Sequence, residues 1–409
     1  MAIGAELRLA RDGGRPARTR PERPMFPGGM EVGDAELRAL ERVIRSKNLF
    51  RYYGVGDGPQ EVAAFEREFA AHMGAAKALA VNAGSSALIC GLIGAGVGPG
   101  DEVIVPAYTW NATPNAVLAS GALPVLAEVD DSLTLDPADV ERKLTPRTRA
   151  ILPVHMRGNA ADMRSLVEVA RARGVALVED VCQAAGASFA GERLGTFGDA
   201  AAFSLQFNKI ITTGEGGAMI TSREDVYETA IEVHDCAGPV RAGGAPPTFP
   251  GWNFRASELT AAVGRVQLTR LDGLLKRMRA SHERLAAAVG RLPGLTLRRS
   301  NDVSGDAGIA LIAYAESATL AAEAAAALRA EGVPATQLYS PGVVDLHVYP
   351  FWRPVLDAIK ASGAPQPECP RTLELLSRAV HVDVPPQLDE QDLEEYELAL
   401  RKVALGVLA

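Results

Sequence analysis

The sequence predicts an α/β protein: a large domain on a mainly parallel sheet, followed by a smaller C-terminal α+β domain. Three observations carry this. Past residue 25, short β-rich runs alternate with helical patterns, the signature of a parallel sheet covered by helices. Two of those runs, ILPV at 151–154 and VALV at 175–178, are continuously apolar, as strands buried on both faces are. From 257 to 289 the pattern turns wholly helical, which suits a connection between domains. At roughly 100–200 residues per domain, the chain's 409 residues accommodate an arm at 1–25, a large domain at 26–275 and a small one at 276–409.

Taken in order, residues 1–25 hold six arginines and no continuous apolar stretch, so a secretory signal is not supported. A flexible arm is expected there. An organellar transit peptide is the alternative, weakened by three interrupting acids. The run 78–100 is uncharged and long enough to span a bilayer, but Asn82, Ser85, Ser86, Pro99 and six glycines argue against a membrane helix. Strands are expected at 103–105, 123–129, 150–154, 175–179, 201–205 and 218–221, with helices at 86–92, 112–120 and 162–173 between them. After the helix at 257–289 come weaker strands at 295–297 and 308–315, an alanine-rich helix at 318–330 and a final helix near 390–405. No internal repeat is visible.

Composition narrows the chemistry. Lys and Arg total 42 against 50 Asp and Glu, a net charge of −8, which offers no attraction to nucleic acid or to an anionic membrane. Apolar residues make up 47% and charged residues 22%, ordinary for a soluble globular chain. The four cysteines (Cys90, Cys182, Cys236, Cys369) lie far apart and form no C-x-x-C, so a zinc ribbon, a haem attachment and a disulfide framework all lack support. Buried thiols in a reducing cytoplasm are the expectation. The chain carries no phosphate-loop lysine motif, no H-E-x-x-H and no G-x-S-x-G, and GAGVGPG never completes G-x-G-x-x-G. No metal site is predicted.

Four features carry chemistry. Asp180 closes an apolar run, at the carboxyl end of a strand where open α/β sheets bind ligands, and a carboxylate there needs a cation or donor; a helix N-cap is the plainer explanation. Lys209 follows the strand AAAFSLQ and precedes the turn TTGEGG, with Ser204 five residues earlier. This suits an imine-forming lysine beside a phosphate, or a surface lysine in a loop. Gly84-Ser85-Ser86 opens a helix, whose free N–H groups and dipole favour phosphate, or which is simply capped there. Trp110, after the strand VIV, could cover a flat ring or fill the core. Together they are the parts needed to hold pyridoxal 5'-phosphate (PLP): an acid for the pyridine nitrogen, a lysine for the imine, a helix end for the phosphate and an aromatic plate.

The chain resembles the DegT/DnrJ/EryC1/StrS family of PLP-dependent sugar aminotransferases. The resemblance covers nearly everything after residue 25. It runs through GPGDEVIVP, the E-D-x-x-Q-A-x-G-A box from Glu179, G-x-F-G-D-A-A-A-F-S from Gly195, N-K-I-I-T-T-G-E-G-G from Asn208, G-x-N-F-R from Gly251 and E-L-x-A-A-x-G-x-x-Q-L from Glu258. It implies a fold type I transferase. Lys209 would form the imine, Asp180 would pair with the pyridine nitrogen, and Gln183 would donate to the ring hydroxyl. Ser204 and Gly84-Ser85-Ser86 would hold the phosphate, Trp110 would stack, and Asn208, beside the lysine, would also bind the cofactor. Asn253 would reach the phosphate of a neighbouring subunit, which implies a homodimer with shared sites. The resemblance also implies pyridoxamine 5'-phosphate between the two half-reactions and small-molecule donor and acceptor.

Departures are informative. Ala83-Gly84-Ser85 replaces a common Ser-Gly-Thr, and His155-Met156-Arg157-Gly158 stands where H-L-Y-G is common. Arg157 is therefore expected at a strand end near the cofactor, holding an anionic substrate group or lying exposed in a loop. His155, Arg255 and His347 are further substrate candidates; Tyr349 and Trp352 accompany His347 in LHVYPFW, which could equally be a packed inter-domain loop. Lysine rather than histidine at 209 favours transamination over dehydration. The expected reaction moves an amino group from glutamate or glutamine to a keto-sugar or related polyhydroxylated ketone. Nucleotide-linked sugars are the family's commonest acceptors, whereas His234-Asp235 and Q-x-N-K look more like members acting on free cyclitols, octulosonates or aminohydroxybenzoate precursors. A dehydratase, an aromatising synthase and a non-catalytic regulatory protein are the alternatives.

Overall fold

A computed structural model of the chain describes residues 7–55, 60–241 and 243–408. Its strands are β1 (Lys77–Val81), β2 (Glu102–Pro106), β3 (Leu123–Ala127), β4 (Thr148–Ile151), β5 (Ala176–Asp180), a small hairpin of β6 (Ser188–Phe189) and β7 (Glu192–Arg193), then β8 (Ala200–Ser204) and β9 (Gly217–Thr221). Seven of them form one sheet in the order β1-β9-β8-β5-β4-β2-β3. From β8 to β3 the pairing is parallel, and only β9 runs against its neighbours β8 and β1. Side-chain alternation splits each strand between two cores: Ala201 and Phe203 of β8 face one, Ala200 and Ala202 the other. That is why these strands read as continuous apolar runs.

The sequence pattern does not predict the short strands β6 and β7 or the C-terminal strands at 335–337 and 379–383, and two further differences bear on the large domain. β1, with the sequence KALAV, escapes notice because alanine is a poor β former and merges into the uncharged run behind it. The expected helix at 257–289 is two helices, Glu258–Leu268 and Leu271–Val289. Thr269 donates its hydroxyl back to the Val266 carbonyl at 2.7 Å, competing with the helical ladder at the break. The first of these helices packs under the large sheet's helices; the second leads to the C-terminal sheet.

That second sheet is antiparallel, β10 (Thr296–Leu297), β11 (Ala310–Tyr314), β12 (Ala335–Gln337) and β13 (Ala379–Asp383) in the order β10-β11-β13-β12. The helices Ala318–Ala330 and Glu390–Val403 cover it.

Residues 7–25 are not the flexible arm expected; residues 1–6 lie outside the described chain. Arg18 is buried against Asp392 at 2.7 Å, and Glu331 accepts the Ala10 and Ala17 N–H groups at 2.7 and 2.8 Å while also pairing with Lys402. Arg20 and Arg23 add bonds to Asp389 and Asp392. The arginines that look like a solvated tail thus neutralise acids at the start of the last helix, distant in sequence. No helix among the described residues is long and apolar enough to cross a membrane.

Candidate active site

The carboxyl ends of β5 and β8, the start of the helix Gly84–Gly94 and the segment after β2 enclose a cavity of about 640 Å³. Strand alternation puts the adjacent acids of β5 to different uses. Glu179 turns inward, fully buried, and accepts the N–H groups of Gly195, Phe197 and Gly198 at 2.8–2.9 Å. Asp180 turns to the cavity, 5% exposed. Its Oδ1 accepts the Cys182 N–H at 3.0 Å and its Oδ2 the Thr113 hydroxyl at 2.8 Å. Each oxygen retains a lone pair for a ligand.

Lys209 stands on the turn after β8, its N–H bonded to the Gln206 carbonyl at 2.9 Å, and its side chain lines the cavity. Gly84 and Ser85 line the wall beneath it. No side chain caps that helix, so its first N–H groups stay available. Gly84 is required there: a Cβ would lie 2.8 Å from Ser204 Cβ and 3.0 Å from Cys182 Sγ. Ser204, Gln183 and Asn208 also face the cavity. Ser86 does not; it is buried and donates to Asn82 Oδ1 at 2.7 Å.

Trp110 lies on the cavity wall, 44% exposed rather than in the core, with its ring 4.9 Å from that of His347. His347 accompanies it on the wall, held through Nδ1 to Asp345 at 2.7 Å. Burial pulls the His347 imidazole below the usual histidine range, against the opposing pull of Asp345. Trp352, by contrast, is core. Arg157 reaches the cavity, its N–H donated to Gln183 Oε1 at 3.1 Å.

Besides Ser86, His155 and Arg255 lie off the cavity wall, and Asn253, expected at a partner's site, is away from its own. His155 is fully buried beneath β5: its Nδ1 accepts the Ala161 N–H at 3.1 Å, which leaves Nε2–H to donate to Glu179 at 3.1 Å. It braces the acid pair and is not on the cavity wall. Arg255 pairs with Asp235 at 2.8 Å, and Asn253 is exposed beside it; neither faces the cavity of its own chain. The His234-Asp235 pair is likewise internal, Asp235 holding Arg241 and Arg255 together. The thiols are also not uniformly buried: Cys90 and Cys369 are, Cys182 lines the cavity and Cys236 is exposed. Burial first, then the Asp180 charge, holds the Cys182 thiol well above its usual range.

Sequence reasoning missed Thr109, Thr113, Asp383 and the stretch Met25 to Pro27, all on the cavity wall. None of them stands in a motif; Thr113 lies seven residues beyond the end of β2, in the first turn of the next helix. Among the described residues no cluster of metal-ligating side chains occurs.

The family model for the DegT/DnrJ/EryC1/StrS aminotransferase family matches residues 32–398. The chain belongs to that family. It is an aminotransferase with the corresponding fold: a solved 3-amino-5-hydroxybenzoic acid synthase superposes with a TM-score of 0.81 at 33% identity, covering 94% of this chain and 99% of the other. Among curated relatives, this aminotransferase is 39% identical to the 3-amino-5-hydroxybenzoate synthase of Amycolatopsis mediterranei, over 68% of its own length and 77% of the relative's. It is 37% identical to a putative L-glutamine:3-amino-2,3-dideoxy-scyllo-inosose aminotransferase of Streptomyces kanamyceticus, over 71% and 68% of the two chains.

Proposed function

We propose that this aminotransferase uses PLP to move an amino group from glutamine or glutamate to a polyhydroxylated six-membered ring ketone. One observation carries the reading: Lys209, Asp180 and the uncapped start of the helix Gly84–Gly94 converge on a single cavity. The donor set fits the cofactor. The helix start and Ser204 suit its phosphate, the free lone pairs of Asp180 a protonated pyridine nitrogen, Gln183 the ring hydroxyl, and Trp110 one ring face. A Cβ at Gly84 would press on Ser204 and Cys182, so the helix start approaches Ser204 this closely only as glycine.

Bound PLP would supply an electron-accepting ring conjugated to the amino group in transit. The protein's own part is to place and move protons. Lys209, in its neutral form, takes the proton from the carbon bearing the amine and returns it on the other side of the transfer. Asp180 would pair with the ring nitrogen, and Thr113 keeps Asp180 oriented. Trp110 and the segment Met25 to Pro27 narrow access of water.

The acceptor class rests on the relatives, two of which are named for six-membered carbocyclic products or substrates. His234-Asp235 lends no support, being internal. A homodimer is part of the proposal: Asn253 and Arg255, turned away from their own cavity, would complete a partner's. Exposed Tyr53 and Trp252 on that side suit such an interface. An aromatising synthase is the second reading, favoured by the name of the first relative.

The test supplies α-15N-glutamine with scyllo-inosose or an oxidised aminoshikimate-type ring, and follows the label by mass spectrometry. A labelled ring amine is expected; a labelled aromatic amine would favour the second reading. Absence of transfer to any ring ketone, together with no pyridoxyl mass on the Lys209 peptide after borohydride reduction, would overturn the proposal.

A further inference from the structure

Arg157 occupies the short turn Met156–Gly158 beyond β4, with φ 53° and ψ 41°, a left-handed conformation uncommon for a residue with a side chain. The turn is held from three sides. Its N–H donates to Gln183, its carbonyl accepts from Arg298, and Gly158 packs against Ala307. This backbone directs the guanidinium to the cavity wall. There Nε is buried without a partner, and no guanidinium nitrogen of Arg157 forms a hydrogen bond or an ion pair among the described residues. Tyr108 is fully buried, and its hydroxyl lies beside the Arg157 guanidinium without a hydrogen bond of good geometry among the described residues.

The neighbouring acids act on this charge without bonding to the guanidinium. Asp345 accepts from His347, and Asp383 faces His381 Nε2 at 3.3 Å. A buried planar fork with Nε unpartnered matches a planar anion with two oxygens. A diphosphate fits poorly. Arg157 is one cation, two carboxylates already act on its charge, and Lys209, the next cation on the wall, is reserved for the cofactor. A diphosphate would crowd more negative charge onto that one cation than a single carboxylate does.

We propose that Arg157, assisted by the Tyr108 hydroxyl, is the seat for a substrate carboxylate. The inference deepens the function proposed above and rests on it for the identity of the cavity. The carboxylate has two possible sources: the α-carboxylate of the amino donor, or a carboxyl group on the acceptor ring.

Titration calorimetry on the PLP-loaded protein separates them. The probes are 3-hydroxybenzoate for a ring carboxylate, 3-hydroxybenzamide as its neutral counterpart, and 2-oxoglutarate for the donor. Wild type should prefer the benzoate to the benzamide. Arg157→Gln should weaken at least one carboxylate by about tenfold or more, with benzamide unchanged within about twofold. Loss confined to the benzoate assigns the seat to the acceptor ring, loss confined to 2-oxoglutarate to the donor, and loss of both to one seat used in turn. Carboxylate affinities unchanged in Arg157→Gln, an equal loss for benzamide, or a wild type without carboxylate preference overturns the inference. Should Arg157→Gln not fold, Tyr108→Phe decides: about threefold weaker carboxylate binding is expected, and unchanged binding overturns it. Label transfer from glutamine is measured separately on wild type, so a failed function with an intact seat, or the reverse, is recognisable.

Discussion

Thr113 donates its hydroxyl to Asp180 Oδ2 at 2.8 Å, and must therefore accept from Thr109, 2.8 Å behind it. The relay Thr109, Thr113, Asp180 points a row of donors at one carboxylate and fixes its orientation. Thr113→Val keeps the shape and removes the bond. A hydrogen bond to a charged group contributes about 1.5–3 kcal/mol, so turnover should fall roughly 10- to 100-fold with the fold intact, read by steady-state kinetics beside circular dichroism. Undiminished turnover would show that Asp180 needs no such support.

Asp180→Asn cannot hold a protonated ring nitrogen by charge. Cofactor should still bind, while amino transfer falls about 10²-fold or more. Cofactor content by absorbance and label transfer from glutamine check the two halves independently; near-normal rates would remove Asp180 from the mechanism.

Gly84→Ala places a methyl group 2.8 Å from Ser204 Cβ and 3.0 Å from Cys182 Sγ. Overpacking of this kind costs about 1–3 kcal/mol. The strain falls on the two elements assigned to the phosphate, so the PLP dissociation constant should rise about tenfold, measured by equilibrium dialysis. A similar loss of affinity for pyridoxal without phosphate would argue that the cradle holds something else.

Arg18→Ala strips a buried cation from Asp392. Breaking a buried pair costs about 3–5 kcal/mol, and the low end is expected because Arg20 and Arg23 also reach Asp392. Urea unfolding should show the loss, while activity per folded molecule stays within about twofold.

Acid should destabilise the protein partly through His234. Burial, then the Arg51 cation, lowers this imidazole to about 4. Its Nδ1–H donates to the Ile231 carbonyl at 2.7 Å, leaving Nε2 toward Arg51. The unfolded chain takes up the proton near 6.5 and the folded one does not. Stability is therefore full above that value and declines as pH falls toward 4, by up to about 3 kcal/mol from this group. His347 and His381 are shifted in the same direction. Melting temperatures from pH 7.5 to 4.5 should fall, and less steeply in His234→Gln.

Much of the site was legible because strand ends are legible. Asp180 and Ser204 terminate apolar runs, Lys209 follows one, and Gly84 opens a helix after another. What was hidden depends on side-chain direction and on distant partners. His155 follows a strand as Asp180 does, yet its ring turns beneath the sheet to Glu179, because three backbone donors already draw that acid inward. Thr109 and Thr113 belong to no motif, and their value appears only once β2 lies beside β5's neighbour. Arg18, Arg20 and Arg23 read as part of a tail because the acids they meet are at the last helix.

The opening segment does two jobs at once. Residues 10–23 are latched to the C-terminal unit, and the next few, Met25 to Pro27, form part of the cavity rim. A shortened chain initiated at Met25 would keep every side chain assigned here to chemistry and lose the latch. Choice of start codon would then separate heat endurance from catalytic competence, and a tag fused at residue 25 would sit at the mouth of the active site rather than on a remote surface.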